Sequence, residues 1–168
     1  MTGLNDPVQF DLNADGTPET TGWTARNTDQ GFLWLDRNNN GMVDSGAELF
    51  GNYTPLAGGG NALNGFRALA EFDQPTYGGN GDAVIDSRDA VFPRLRIWID
   101  KNHNGLSESS EILTLPQAGV TRIELKYEAN GFHDQFGNRF RFKGKAWISD
   151  GKGKEHPVRI YDVFFVSQ

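Results

Sequence analysis

The run Asp100-Lys101-Asn102-His103-Asn104-Gly105-Leu106-Ser107-Glu108-Ser109-Ser110-Glu111 decides how the larger part of this chain is read. Oxygen-bearing side chains recur at alternate places: Asp100, Asn102 and Asn104 at loop positions 1, 3 and 5, Glu108 at 9 and Glu111 at 12. Gly105 stands at position 6, and the Leu106 carbonyl is the donor at 7. This is the pattern of an EF-hand-like calcium loop. Its spacing has a geometric cause. Alternate residues of a tightly curled loop point inward, glycine takes the sharp turn, and a carboxylate on the following turn closes the coordination shell with two oxygens.

Three further runs vary the same theme. One begins at Asp36 and continues through Asn38, Asn40, Gly41, the Met42 carbonyl and Asp44, but its closing acid, Glu48, comes one residue late, so its closing turn is expected to differ. Another has Asn80, Asp82, the Val84 carbonyl, Asp86 and Asp89 at the expected spacings, with Gly78 at position 1 and Ala83 at position 6. There Asp73, beyond the Gln74-Pro75-Thr76-Tyr77 insertion, is expected to curl back as first ligand. The earliest run holds Asp11, Asn13, Asp15, Gly16, the Thr17 carbonyl and Glu19, with Gly22 where the closing acid belongs; it either borrows a ligand or stays a plain turn. Repetition of one pattern at varied spacing carries more weight than any single copy.

Hard oxygen donors, about six or seven per loop, suit Ca2+ better than Mg2+ or Zn2+. Three or four calcium ions are expected. Because Asn replaces Asp at many inner positions, each loop carries few formal charges, which points to the roughly 10⁻⁴ to 10⁻³ M affinities of extracellular modules.

Composition agrees with that assignment. The 168 residues include no Cys, which removes disulfides, thiolate metal sites and cysteine nucleophiles, and any stapling must come from elsewhere. The formal net charge is -6, yet residues 1–111 hold 16 acidic and 7 basic side chains whereas the remainder holds 6 and 9. Thirteen of those 16 acids are the proposed ligands, so the excess acid is mostly metal-site acid. A nucleic-acid partner would need a basic stripe that is absent. No apolar run approaches a membrane span, and the first residues lack the basic and apolar regions of a signal peptide.

The fold expected is α+β in one compact domain: a loop-rich calcium-binding lobe over residues 1–119 with short strands and helices, and an antiparallel β-meander over 120–168 packing on it. In the second part Ile123, Leu125 and Tyr127 alternate with polar residues, as do Phe140 and Phe142, and Val158 to Val166 forms a third run. Turns are expected near Asn130-Gly131 and Asp150-Gly151. Asn64 to Phe72 reads as a helix capped by Asn64, and Ser87 to Phe92 as another, capped by Ser87 and stopped by Pro93. Trp34 and Trp98 directly precede loops in apolar runs and are read as core. His103 occupies a loop position that points away from the ion and is expected in solvent. No zinc-protease helix, nucleophile elbow or phosphate-cradling Gly-Lys-Ser/Thr run is present.

Gly31-Phe32-Leu33-Trp34-Leu35-Asp36-Arg37-Asn38-Asn39-Asn40-Gly41, followed by Gly46-Ala47-Glu48-Leu49-Phe50-Gly51-Asn52, Asn64-Gly65-Phe66-Arg67-Ala68-Leu69 and Leu95-Arg96-Ile97-Trp98-Ile99-Asp100, resembles the calcium-binding region of large secreted bacterial proteins of the RTX type. The resemblance covers about residues 8–120. It implies a secreted or cell-surface location and a place within a larger chain; a monomer is expected. Some members of that group are self-processing modules that cut an Asp-Pro bond at their own N-terminal edge in calcium and can pass the new acyl end to a lysine amine. Asp6-Pro7 lies five residues before Asp11, a similar spacing. The resemblance implies Asp6 as nucleophile and Pro7 as leaving group. Thr21-Gly22-Trp23 departs from the pattern, because it resembles the segment after the second loop of those modules, which bears on whether the scissile bond is carried here.

Overall fold

The computed structural model describes all 168 residues. Nine strands, β1 (Val8–Phe10), β2 (Glu19–Thr21), β3 (Phe32–Leu35), β4 (Val84–Ile85), β5 (Leu95–Trp98), β6 (Ile112–Thr114), β7 (Val120–His133), β8 (Arg139–Ser149) and β9 (Glu155–Phe164), accompany a single α-helix, α1 (Gly65–Ala70). They form three antiparallel sheets in the orders β1-β2, β3-β5-β6 and β4-β7-β8-β9. The expected meander is present as β7, β8 and β9. The α share is smaller than the expected α+β class suggests, since the molecule is mostly β with one short helix.

Short strands are short here because Asp-rich loops interrupt them. β1 and β2 flank the Asp11 loop, β3 runs straight into Asp36, and β5 reaches Asp100 two residues after its end. Each strand thus fixes the first residue of a loop. β3 and β5 pair so that Phe32 faces Trp98 and Leu35 faces Leu95, which places the Asp36 and Asp100 loops at opposite ends of the pair.

Two cores hold these pieces. Leu35, Leu69, Ile85, Leu95, Leu115, Ile123 and Ala146 belong to one buried cluster, so loop region and meander share a core, and β4 pairs directly with β7. The other is aromatic: Phe10, Trp23, Trp34 and Trp98 are buried together with Val8, Val43 and Leu49. Trp23 lies with its ring centroid 5.0 Å from Phe10 and 5.6 Å from Trp98. Burial of three tryptophans beside the loops gives the acidic part the apolar area that its short strands cannot supply.

The helix starts as expected. The Asn64 side chain accepts from Arg67 N, and Gly65 N donates to the Asp162 carboxylate at 3.0 Å. Six residues are too few to hold a helix alone; Phe66 stacks on Tyr127 at 5.0 Å and docks it on β7. Two expectations fail. Ser87 to Phe92 is a series of turns, and Pro93 sits within a 3₁₀ turn, Phe92–Arg94, rather than stopping a helix. A proline has no N–H to lose at the first turn, so it serves there. Asn130-Gly131 does not turn but lies inside β7, and the chain reverses at Asp134 to Asn138, where Asp134 accepts amides from Phe136 and Asn138. Phe132 opposite Phe140 extends the ladder past the glycine, whose extra residue is taken up by a register shift.

Candidate metal sites

All four loops share one backbone curl. Position 4 is left-handed in each, at Ala14, Asn39, Gly81 and His103, with φ of 60, 62, 75 and 61°. Position 6 is left-handed too, at Gly16, Gly41, Ala83 and Gly105, with φ of 90, 78, 65 and 73°. Glycine at position 6 marks three of the loops in sequence, whereas the left-handed residue at 4 is alanine, asparagine, glycine and histidine in turn and leaves no common signal. Two such residues two apart turn successive amides toward the loop centre, where the first carboxylate receives them.

In the Asp100 loop, Asp100 Oδ1 accepts from His103 N at 2.6 Å and Oδ2 from Gly105 N at 2.9 Å. Asn102 and Asn104 accept from the amides two residues on, at 3.0 and 2.8 Å. Glu111 reaches back to Lys101 N at 3.0 Å. The inner wall is indole: Trp23 Nε1 donates to Asp100 Oδ2 at 2.9 Å and Trp98 Nε1 to Glu111 Oε2 at 3.4 Å. Asp100 and Glu111 are buried. Burial pushes the Glu111 carboxyl above the ordinary glutamate range, and the facing Glu108 adds to the rise, while the Asn104 amide holds Glu108 down. Glu108 Oε2 is shut off from solvent with no hydrogen-bond partner.

The Asp36 loop repeats these bonds. Asp36 accepts from Asn39 N at 2.6 Å and Gly41 N at 2.9 Å. Asn38 and Asn40 both donate to Asp44 Oδ2, at 2.7 and 2.8 Å, as Asn102 and Asn104 donate to Glu108 Oε1 at 3.2 and 2.7 Å. Glu48 Oε1 accepts from Arg37 N at 2.9 Å, so it reaches the seat that Glu111 holds in spite of its late position. The extra residue is absorbed in the Ser45-Gly46-Ala47 turn, where Gly46 N donates to Asp11 O and an added Cβ would lie 1.9 Å from Leu12 O.

Asp73 does curl back. Its Oδ1 accepts from Gly81 N at 3.0 Å and its Oδ2 from Ala83 N at 2.9 Å, the bonds that Asp100 makes to positions 4 and 6. Gly79 permits this, since a Cβ there would lie 2.1 Å from the Asp73 carbonyl carbon. Asp89 takes the closing seat and accepts from Asn80 N and Asp86 N. A cation of the chain already lies on this loop: Arg88 bridges Asp82 and Asp86, and its hydrogen bond holds the Asp86 carboxyl below the ordinary range.

The Asp11 loop has the curl but no acid at position 12. Asp11 accepts from Asp15 N and Gly16 N, Asn13 from Asp15 N and Asp15 from Thr17 N. Glu19 folds in from position 9, and its Oε2 accepts from Leu12 N at 2.8 Å, the bond that Glu111 makes to Lys101. The Leu106, Met42, Val84 and Thr17 residues stand at position 7 of their loops, where a main-chain oxygen is the donor.

The residues fit Ca2+ by donor chemistry: hard oxygens from Asp, Asn and Glu line each curl, and one of them, Glu108 Oε2, is buried without a partner. No three His, Cys, Asp or Glu side chains close on one point; the asparagine amides that hold Asp44 and Glu108 stand among them. Calcium would supply charge neutralisation and cross-linking of each loop's two ends.

His103 is not in solvent. Position 4 does point away from the loop centre, but what lies outside is the N-terminal segment, and the imidazole is fully buried. Nδ1 lies 2.7 Å from Thr24 O and Nε2 3.0 Å from Asp6 O, oxygens that can only accept. Arg26 reaches both neighbours, donating to Asn102 O at 2.8 Å and to Asp6 Oδ1 at 3.1 Å. The Asp6-Pro7 bond therefore rests against the Asp100 loop.

The sequence model of the family described as "SPM domain" matches residues 1–166. The chain is also similar to the iron-regulated protein FrpA of Neisseria meningitidis serogroup C, with 39% identity over 142 residues, which is 84% of this chain and 12% of that protein. The chain thus spans a small fraction of the length of that curated relative.

Proposed function

This chain belongs to the SPM domain family, and from that premise we propose that it is a calcium-binding module of a larger secreted bacterial protein, ordered by Ca2+ at three or four EF-hand-like loops. The observation that carries the reading is the common curl of the four loops, with left-handed residues at positions 4 and 6 and a first carboxylate that receives both their amides in three loops and those of positions 5 and 6 in the Asp11 loop. Asp100, Asn102, Asn104, Glu108 and Glu111 would hold one ion, and Asp36, Asn38, Asn40, Asp44 and Glu48 another, each with its position-7 carbonyl. Asp73, Asn80, Asp82, Asp86 and Asp89 would hold a third, and Asp11, Asn13, Asp15 and Glu19 the fourth. Ion binding then adds to folding free energy, and the acidic part stays self-repelling wherever calcium is scarce.

Trp23 and Trp98 donate to ligand carboxylates, so tryptophan emission reports on the Asp100 loop. A thermal melt in calcium and in chelator, followed by emission, tests the proposal. A raised midpoint and an altered spectrum in calcium are expected; identical curves would overturn it.

A second reading is favoured by one contact. The Asp6 main chain lies on a side chain of the Asp100 loop, and a calcium-triggered cleavage of Asp6-Pro7 needs a link of that kind. The Asp6 carboxylate would attack its own main-chain carbonyl carbon, the C–N bond to Pro7 would break, and the proline nitrogen would take a proton from water. The cyclic anhydride would then add water or a lysine amine. Intact mass after incubation in calcium decides: loss of the peptide Met1 to Asp6 supports it, and an unchanged mass rejects it.

A further inference from the structure

We propose that the His103 side chain couples the Asp100 loop to the Asp6-Pro7 bond: its Nε2–H holds the Asp6 carbonyl oxygen and serves as the oxyanion donor when that bond is cut. The second part of this statement rests on the cleavage reading above; the first part does not.

His103 belongs to the loop through its backbone. Its amide donates to Asp100 Oδ1 at 2.6 Å, and its left-handed φ of 61° aims the side chain out of the curl. Histidine in that conformation is strained relative to glycine or asparagine, so the orientation persists because the surroundings hold it. Those surroundings are two main-chain oxygens. Both partners are carbonyl oxygens, which only accept, so both ring nitrogens donate: Nδ1–H to Thr24 O at 2.7 Å fixes the ring plane, and Nε2–H is thereby set 3.0 Å from Asp6 O, with Asp6 Oδ1 3.6 Å away. The His103 side chain has no exposure, whereas the Asp6 side chain is 45% exposed.

The arrangement suits acyl transfer. Attack by the Asp6 carboxylate on its own carbonyl carbon moves negative charge onto Asp6 O, the atom that His103 faces. A buried N–H aimed at that oxygen stabilises the charge more than it stabilises the neutral carbonyl. Arg26 complements it by holding the nucleophile's carboxylate with one nitrogen and Asn102 O with the other. Both groups that touch Asp6 are thus anchored on the same loop, and any change in the loop's curl moves the donor relative to the carbonyl. Position 4 carries Ala14, Asn39 and Gly81 in the other three loops, none of which bears a ring nitrogen. The role is confined to this loop.

The test compares wild type with His103→Phe, which fills the ring's space without a donor, and His103→Gln, which restores an N–H. Two quantities are read at saturating calcium: hydrogen–deuterium exchange of residues 1–10 and the cleavage rate by intact mass. The expected result is faster exchange of the N-terminal segment in His103→Phe, cleavage slowed about 100-fold as for loss of one oxyanion donor, and partial recovery of exchange protection and rate in His103→Gln. Wild-type exchange in His103→Phe would overturn the coupling. Wild-type cleavage with altered exchange would overturn the oxyanion role. If wild type itself never cleaves, the cleavage reading and the oxyanion role fall together, while the exchange difference still decides the coupling.

Discussion

Val43 N donates to Ser107 Oγ at 2.8 Å, and the two residues hold the same place, position 8, in the Asp36 and Asp100 loops. The two most nearly identical loops of the chain are therefore tied together next to their position-7 carbonyls. Val43 is buried in the aromatic cluster that also receives Trp98, so the tie continues into the core. Ordering one loop would restrain the other, and two ions would then bind more easily together than separately.

Removal of the hydroxyl by Ser107→Ala should weaken this coupling. Calorimetric calcium titration is expected to resolve two less dependent events, with stability in chelator falling by about 1 kcal/mol, the usual worth of one hydrogen bond. An isotherm superimposable on that of wild type would show that the loops bind independently.

Glu48 and Glu111 should behave as equivalent closing ligands. Each reaches the amide of the loop's second residue, at 2.9 and 3.0 Å, and each is buried. Glu48→Gln and Glu111→Gln are each expected to remove one ion by ion counting, and only Glu111→Gln should change the emission of Trp98 directly, since that indole bonds Glu111. Retention of the full ion count in Glu48→Gln would mean that the late acid is only a turn cap.

The Asp100 loop was legible because every position matches a local rule. Asp73 could also be foreseen, from the lack of a first acid at Gly78, and its capture of the Gly81 and Ala83 amides agrees with that expectation. What the sequence withheld is long-range. Glu19 closes the Asp11 loop because β1 and β2 pair with Phe10 opposite Glu19, a register that no local pattern states. The local direction of His103 relative to the loop predicts solvent, whereas its partners, Thr24 and Asp6, lie 79 and 97 residues away in sequence. The turn residues Asn130-Gly131 lost to the Phe132–Phe140 pairing across β7 and β8, a case of tertiary contacts overriding turn propensity.

Arg88 should compete with a metal ion. Its guanidinium lies on Asp82 and Asp86, two of the oxygens assigned to the third loop, and is well exposed, so it can swing away at little cost. Arg88→Ala is expected to tighten ion binding at this loop severalfold and to leave the Asp36 and Asp100 loops unchanged, as read by terbium titration. Weaker binding in the variant would show that Arg88 organises the loop instead of blocking it.

Asp162 sets a pH dependence opposite in sign to that of paired carboxylates. It lies beside a largely apolar hollow of about 780 Å³, is buried, and caps α1 through Gly65 N. Burial pushes its carboxyl up from 3.8 to about 6, against the pull of the Gly65 amide and Arg141. The folded state therefore holds this proton more tightly than the unfolded chain. Its stabilisation is complete below the unfolded value of 3.8 and is lost as pH rises through about 6. Above that pH the fold carries an ionised buried carboxylate at a cost of about 2 to 3 kcal/mol. Asp162→Asn keeps an oxygen for Gly65 N and removes the charge. Urea unfolding of the calcium-free protein, with variant and wild type compared at the same pH so that the loop carboxylates contribute equally to both, should find the variant more stable than wild type at pH 7.5 and no more stable at pH near 4. A difference that stayed constant across that window would assign the effect to packing and not to the proton.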